Sequence, residues 1–130
     1  DLPMNHLTML GLVGIGGAVG ACSRYLITLG CTALLGKAFP FGTLLVNVVG
    51  SLGLGALMAA LEQGMLNEIP WRPLVTVGFF GALTTFSTFS VDNMMLLQDG
   101  AFVKLGVNIV LNVTVCLTAA WGGFQLLMRS

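Results

Sequence analysis

Gly81-Ala82-Leu83-Thr84-Thr85-Phe86-Ser87-Thr88-Phe89-Ser90 lies inside a run, Pro73 to Val91, that carries no charge. From Thr84 to Ser90 five of the seven side chains are hydroxyls and the other two are phenylalanines. Gly78 and Gly81 precede them. Glycine weakens a helix through backbone entropy, and serine and threonine do so by offering the backbone competing hydrogen bonds. The run has the length of a membrane crossing, so it reads as a transmembrane helix broken near its middle. Irregular backbone at membrane depth survives only where it is buried in protein or lines a cavity. Freed carbonyls are good ligands for a hard cation such as Na⁺. The interruption therefore predicts either a cation site or a water-lined defect.

Outward from this stretch the chain repeats the same apolar length. A bilayer core of about 30 Å needs around 20 apolar residues in a helix. Leu2 to Ser23 (with His6 as its one titratable side chain), Ala38 to Leu61 and Leu105 to Met128 meet that need. The expectation is an all-α membrane protein of four transmembrane helices in a single transmembrane domain, 1–130, with spans at about 5–30, 40–62, 72–97 and 101–128. Gly36 to Gly42 and Glu62 to Arg72 form the first two loops, and Gln98-Asp99-Gly100 a very short third. Spans three and four are then antiparallel neighbours. Of the 130 residues 56% are hydrophobic and 8% charged, with mean hydropathy +0.97. Soluble domains carry roughly 25% charged residues, so the surrounding solvent is mostly lipid. Net charge is zero, which gives no reason to expect a nucleic acid partner. Cys22, Cys31 and Cys116 form no CxxC and read as small packing residues. No signal peptide is visible, and Met4 reads as an original initiator.

Lys and Arg in the loops orient a membrane protein. Arg72 and Arg129 fall on one side; Lys37 and Lys104, with Arg24 late in span one, fall on the other. Such a balance decides nothing: either one orientation wins on a weak bias, or the chain inserts both ways and an antiparallel dimer becomes possible. Four spans also do not easily enclose a pore. Small residues four apart, Gly14-Ala18-Cys22, Gly16-Gly20, Gly17-Ala21 and Ser51-Gly55-Ala59, let helices approach closely, within one subunit or between two.

Polar residues at membrane depth face protein or a water-filled path. Thr43 and Asn47 share a face of span two; Asn108, Asn112 and Cys116 share a face of span four, with Thr114 and Thr118 offset. Asparagine and threonine donate hydrogen bonds without carrying charge, which suits holding an anion weakly enough to release it; the same groups also serve as glue between helices. Phe86 and Phe89 are three apart, and the positive edge of a phenyl ring can meet an anion. Either ring can equally be core or lipid-facing. Asp92 reads as an interfacial acid or a proton carrier, and Arg24 as a snorkelling side chain or a charge that gathers anions.

Gly81 to Ser90 resembles the signature of the Fluc (CrcB) family of fluoride channels. Gly42-Thr43-Leu44-Leu45-Val46-Asn47-Val48-Val49-Gly50 resembles its second-helix motif, and Gly16-Gly17-Ala18-Val19-Gly20-Ala21-Cys22-Ser23-Arg24-Tyr25 its first-helix motif. The resemblance runs through all four spans in order. It implies an antiparallel, dual-topology homodimer in the bacterial cytoplasmic (inner) membrane, with two fluoride pathways and one central structural Na⁺. The backbone carbonyls of Gly81 and Thr84 from each subunit would hold the Na⁺. Phe86 and Phe89 would line the pathway, Asn47 would be its pore asparagine with Thr43 one turn away, and Asn108, Asn112 and Cys116 would form the track on span four. Ser87, Thr88 and Arg24 join these as candidates. Two departures stand out: Asp92 where the family often has glutamate, and Cys116, a weak hydrogen-bond partner. The expected function is passive export of toxic fluoride from the cytoplasm. The alternative is a proton-coupled small multidrug exporter, which needs a membrane-embedded glutamate that span one lacks. No nucleophile–base pair or metal-ligand cluster suggests an enzyme.

Overall fold

The computed structural model describes residues 5–64 and 72–128. Met4 and Arg129 lie outside these, as does most of the second loop. Helix α1 spans His6–Leu35, α2 Phe41–Glu62, α4 Phe86–Gln98 and α5 Phe102–Met128. Between α2 and α4 a π-helical segment, Arg72–Phe80, runs into one helical turn, Gly81–Leu83, labelled α3. Four stretches are long and apolar enough to cross a membrane: His6–Leu35, Phe41–Glu62, Arg72–Gln98 and Phe102–Met128.

The helix ends follow local chemistry. Asn5 caps α1, its Oδ1 accepting the Thr8 N–H at 2.7 Å. The first span was expected to stop near residue 30, yet α1 runs on to Leu35. Gly30 sits within the helix, and Cys31 to Leu35 bring no proline or charge to stop it. The chain leaves only at Gly36, whose φ of 81° is one that glycine adopts freely. The connection from α4 to α5 is as short as expected: Gly100 takes φ 72°, and the Ala101 N–H returns to the Leu96 carbonyl at 2.9 Å.

In lipid no hydrophobic force drives one helix onto another, so close contact has to supply the attraction. Glycines provide it here. A Cβ on Gly55 would overlap the Ala120 carbonyl, and one on Gly123 the Leu52 carbonyl, which sets α2 directly against α5. Likewise Gly16 and Gly20 of α1 lie against the carbonyls of Leu74 and Phe79. The Gly16-Gly20 and Ser51-Gly55-Ala59 stripes therefore act within the chain. Gly14, Ala18 and Cys22, by contrast, are exposed along α1, as are many large apolar residues, among them Leu10, Val19, Leu26 and Leu117. Outward-facing apolar side chains suit a lipid surround.

Candidate functional site

The site is built around two residues that leave helical geometry. Thr84 (φ −85°, ψ 157°) and Thr85 (φ −153°, ψ 124°) are extended, separating α3 from α4. Extended backbone at this depth must find partners, because lipid offers none. Asn47 of α2 provides them. Its Oδ1 accepts the Thr85 N–H at 2.9 Å, and its Nδ2 donates to the Thr85 carbonyl at 3.2 Å. One carboxamide thus pairs with both backbone groups of Thr85. Thr85 in turn caps α4, its Oγ1 accepting the Thr88 N–H at 3.1 Å.

The interruption takes the α-helical donors from the carbonyls on its N-terminal side, and for Gly81 and Thr84 the diverted donor is seen. The Thr85 N–H, which a continuous α-helix would give to Gly81, goes to Asn47; the Thr88 N–H, which it would give to Thr84, goes to the Thr85 hydroxyl. Gly81 and Thr84 are the two residues that the resemblance names for Na⁺. Hard oxygen donors suit such an ion, so the backbone chemistry fits. Among the described residues no group of three or more His, Cys, Asp and Glu could hold a metal through side chains. Of the two carbonyls between them, that of Ala82 accepts from Arg24 Nε at 3.0 Å.

Asn47 also donates to Asn112 Oδ1 at 3.0 Å, joining α2 to α5. A cavity of about 290 Å³ opens here, with Asn47, Ser51, Phe86, Phe89, Asn112 and Cys116 in its wall. The Phe86 and Phe89 rings stand 5.4 Å apart at 48°. Phe89 is 8% exposed and Phe86 78%, so one ring is fixed in the bundle and the other projects from it. A second cavity, about 280 Å³, is lined by Arg24, Thr28, Thr43, Thr85 and Thr88. A third, about 600 Å³, lies at the ends of the helices, where Lys37, Lys104 and Asp99 join Thr28, Thr43, Thr88 and Asp92. The three are linked by shared walls: Thr85 belongs to the first two, and Thr28, Thr43 and Thr88 to the last two.

The structure thus brings Asn47, Asn112, Phe86 and Phe89 to one cavity and Arg24, Thr43 and Thr88 to the next. Thr43 is buried, and its hydroxyl donates to Asp92 Oδ2 at 2.7 Å. Ser87 is exposed, 3.2 Å from the Thr85 hydroxyl. Asn108 departs from the set: it is 0% exposed, and its Nδ2 donates to Asn93 Oδ1 at 2.8 Å. No surface of Asn108 is open to an ion in this arrangement. Sequence reading passed over Thr28, Ser51 and Asn93. Thr28 and Ser51 each follow a named candidate, Arg24 and Asn47, by one helical turn, a usable signal.

Comparison with known proteins adds an independent line. The family model described as CrcB-like protein, Camphor Resistance (CrcB) matches residues 11–124. A protein of Photobacterium profundum named "Fluoride-specific ion channel FluC" is 57% identical over 127 residues, 98% of this chain and 100% of its own length. Its namesake from Vibrio campbellii is 58% identical over the same shares. That of Vibrio vulnificus is 59% identical over 124 residues, covering 95% of this chain and 98% of the relative.

Proposed function

The chain belongs to the CrcB family, and from that premise we propose that it is the subunit of a passive, fluoride-selective channel that lets toxic fluoride leave the cytoplasm. It is a multi-pass protein of the bacterial inner membrane and not an enzyme. The observation that carries the proposal is the run of linked cavities beside Thr84 and Thr85, lined by uncharged donors and by the Phe86–Phe89 pair.

Fluoride is small and strongly hydrated, so a path through lipid must replace its water with donors. Lys37, Lys104 and Arg24 supply positive charge toward the outer cavities, offset there by Asp92 and Asp99. Thr28, Thr43, Thr88 and Thr85 then offer hydroxyls. Further in, Asn47 and Asn112 offer carboxamides and the phenyl rings their positive edges. These groups bind by dipoles rather than full charge, which permits release as well as capture. A narrow dehydrated path of this kind rejects chloride, whose larger radius the same donors do not fit.

The channel is an antiparallel homodimer with two pathways in this reading. Support comes from the even Lys/Arg balance, from the exposed Gly14-Ala18-Cys22 face, and from Phe86, whose exposed ring leaves one side of its cavity for a neighbour to close. We read Thr84-Thr85 as the break of helix 3. The Gly81 and Thr84 carbonyls of each subunit would hold a structural Na⁺ there, which supplies fixed positive charge and joins the two breaks. The experiment is reconstitution into liposomes loaded with potassium fluoride, with valinomycin added to release the voltage block. Fluoride should appear at an external electrode, and chloride should not leave from liposomes loaded with it. Silence on fluoride, or equal chloride flux, overturns the proposal.

A further inference from the structure

Four asparagine side chains from α2, α4 and α5 form one directed chain of hydrogen bonds that ends at the extended backbone. The Thr85 N–H donates to Asn47 Oδ1 at 2.9 Å, Asn47 Nδ2 to Asn112 Oδ1 at 3.0 Å, Asn112 Nδ2 to Asn108 Oδ1 at 3.0 Å, and Asn108 Nδ2 to Asn93 Oδ1 at 2.8 Å. Backbone groups fix the sense of this chain. The Thr85 N–H can only donate, so Asn47 must present its oxygen. The Asn108 carbonyl can only accept, and it takes Asn112 Nδ2 at 2.9 Å, so Asn112 must present its nitrogen there. Asn108 and Asn93 then follow in the same sense.

We infer that Asn93 and Asn108 are positioning residues that hold the Asn112 and Asn47 carboxamides in the orientation fluoride needs, without touching the ion. The inference rests on the channel reading above. Both Asn47 Nδ2 hydrogens are taken in this arrangement, one by Asn112 at 3.0 Å and one by the Thr85 carbonyl at 3.2 Å. An arriving anion must capture one of them. The relay holds the first, so the hydrogen on the longer Thr85 bond is the one released to the ion. Aligned carboxamides polarise one another, which strengthens the bond that is kept. Backbone groups anchor Asn47 and Asn112, but Asn108 is held only by side chains: without Asn93 its amide can turn and set its nitrogen against Asn112 Nδ2, donor against donor, which loosens Asn112 from Asn47. Asn108 suits the role because it is wholly buried. Asn93, one turn beyond Phe89 on α4, provides the terminal acceptor.

The test measures fluoride efflux from liposomes, dimer elution and thermal unfolding for the wild type, Asn93→Leu, Asn112→Ser and the double variant. Asn112→Ser keeps a hydroxyl in the cavity wall while cutting the relay between Asn93 and Asn47. Asn93→Leu should slow efflux about tenfold in the wild-type background, the size expected from one stranded buried donor, and should add no slowing in the Asn112→Ser background. Thermal unfolding should fall by the same increment in both backgrounds, since Asn108 Nδ2 is stranded in both. Equal slowing of efflux in both backgrounds, or none in the wild type, overturns the relay while the channel reading stands. Wild-type liposomes that pass no fluoride remove the channel reading instead. If Asn93→Leu yields no dimer, Asn93→Ala removes the same acceptor with less bulk and carries the same expectation.

Discussion

Where Gly55 and Gly123 set α2 against α5, each backbone keeps its hydrogen bonds within its own helix, and glycines spend their missing side chains on contact. Where the third span passes Thr84 and Thr85, the backbone leaves the helix and takes partners from elsewhere: Asn47 from α2 for Thr85, Arg24 from α1 for Ala82. Both regions face the same requirement, that no backbone polar group remain unpaired in lipid. The first meets it with geometry and has no donor to spare for an ion. The second meets it with side chains, and a side-chain bond can be exchanged for an ion while the fold remains. The glycine contacts and the polar cluster thus occupy different levels of the bundle, and α2 and α5 take part in both.

The largest expected effect belongs to the glycine-packed region. Gly55→Val should abolish the folded protein, because its Cβ would overlap the Ala120 carbonyl and neither backbone can yield. The cost exceeds the roughly 1–3 kcal/mol of ordinary overpacking, where side chains can move aside. Gly122→Ala, on the same helix as Gly123 but facing open space, should leave size-exclusion behaviour and thermal unfolding unchanged. A well-folded Gly55→Val protein would show that α2 and α5 do not depend on this contact.

Next comes Asn47→Leu, which strands the N–H and C=O of Thr85 together. Each unpaired group costs about 1–3 kcal/mol, and each 1.4 kcal/mol is tenfold in an equilibrium constant. Fluoride efflux should fall by roughly a hundredfold or more on that scale, with a lowered unfolding temperature. Efflux near wild type would mean that the Thr84–Thr85 segment finds other partners.

Phe86→Ile separates transport from folding. The ring is 78% exposed in the chain, so little packing is lost within the subunit, while the ring edge that the proposed pathway offers an anion disappears. Efflux should drop about tenfold, the scale of one lost interaction of roughly 1.4 kcal/mol, with size-exclusion elution unchanged. Wild-type efflux would take Phe86 out of the pathway.

The contrast between the regions was only half legible in the sequence. Four spans could be read because uncharged runs of membrane length leave few alternatives. The hydroxyl cluster from Thr84 to Ser90 was equally plain, since it departs from every other span. What closes it was not: Asn47 lies 38 positions before Thr85, and sequence spacing says nothing about which helices pack side by side. The first loop was placed at Gly36 to Gly42, and the helix does end before Gly36, whose positive φ turns the chain out; α1 runs past the expected span of about 5–30 because nothing between stops it. Asn108 shows the limit most clearly. Its spacing from Asn112 placed both on one helical face, as observed, but that face is shared between a cavity and α4. Asn93 on α4 takes Asn108 away from the cavity and leaves Asn112 at its wall.

Arg24 offers the smallest effect and the finest distinction, because it combines both ways of being polar. Its Nε holds the Ala82 carbonyl at 3.0 Å, a structural bond beside the Thr84–Thr85 segment, while its charge lines the cavity with Thr28, Thr43 and Thr88. A guanidinium does both through a rigid fork; an ammonium is a single point charge on a flexible stem. Arg24→Lys therefore keeps the charge and loosens the anchor, whereas Arg24→Gln retains a donor and loses the charge. If charge gathers fluoride, Arg24→Gln should slow efflux about threefold at low ionic strength and converge on wild type near 1 M salt, where the Debye length is about 3 Å. Arg24→Lys should then track wild type at every salt concentration. If both variants slow efflux equally and without salt dependence, the bond to Ala82 is what matters, and Arg24 belongs with Asn47 among the residues that hold the interrupted backbone rather than with those that attract the ion.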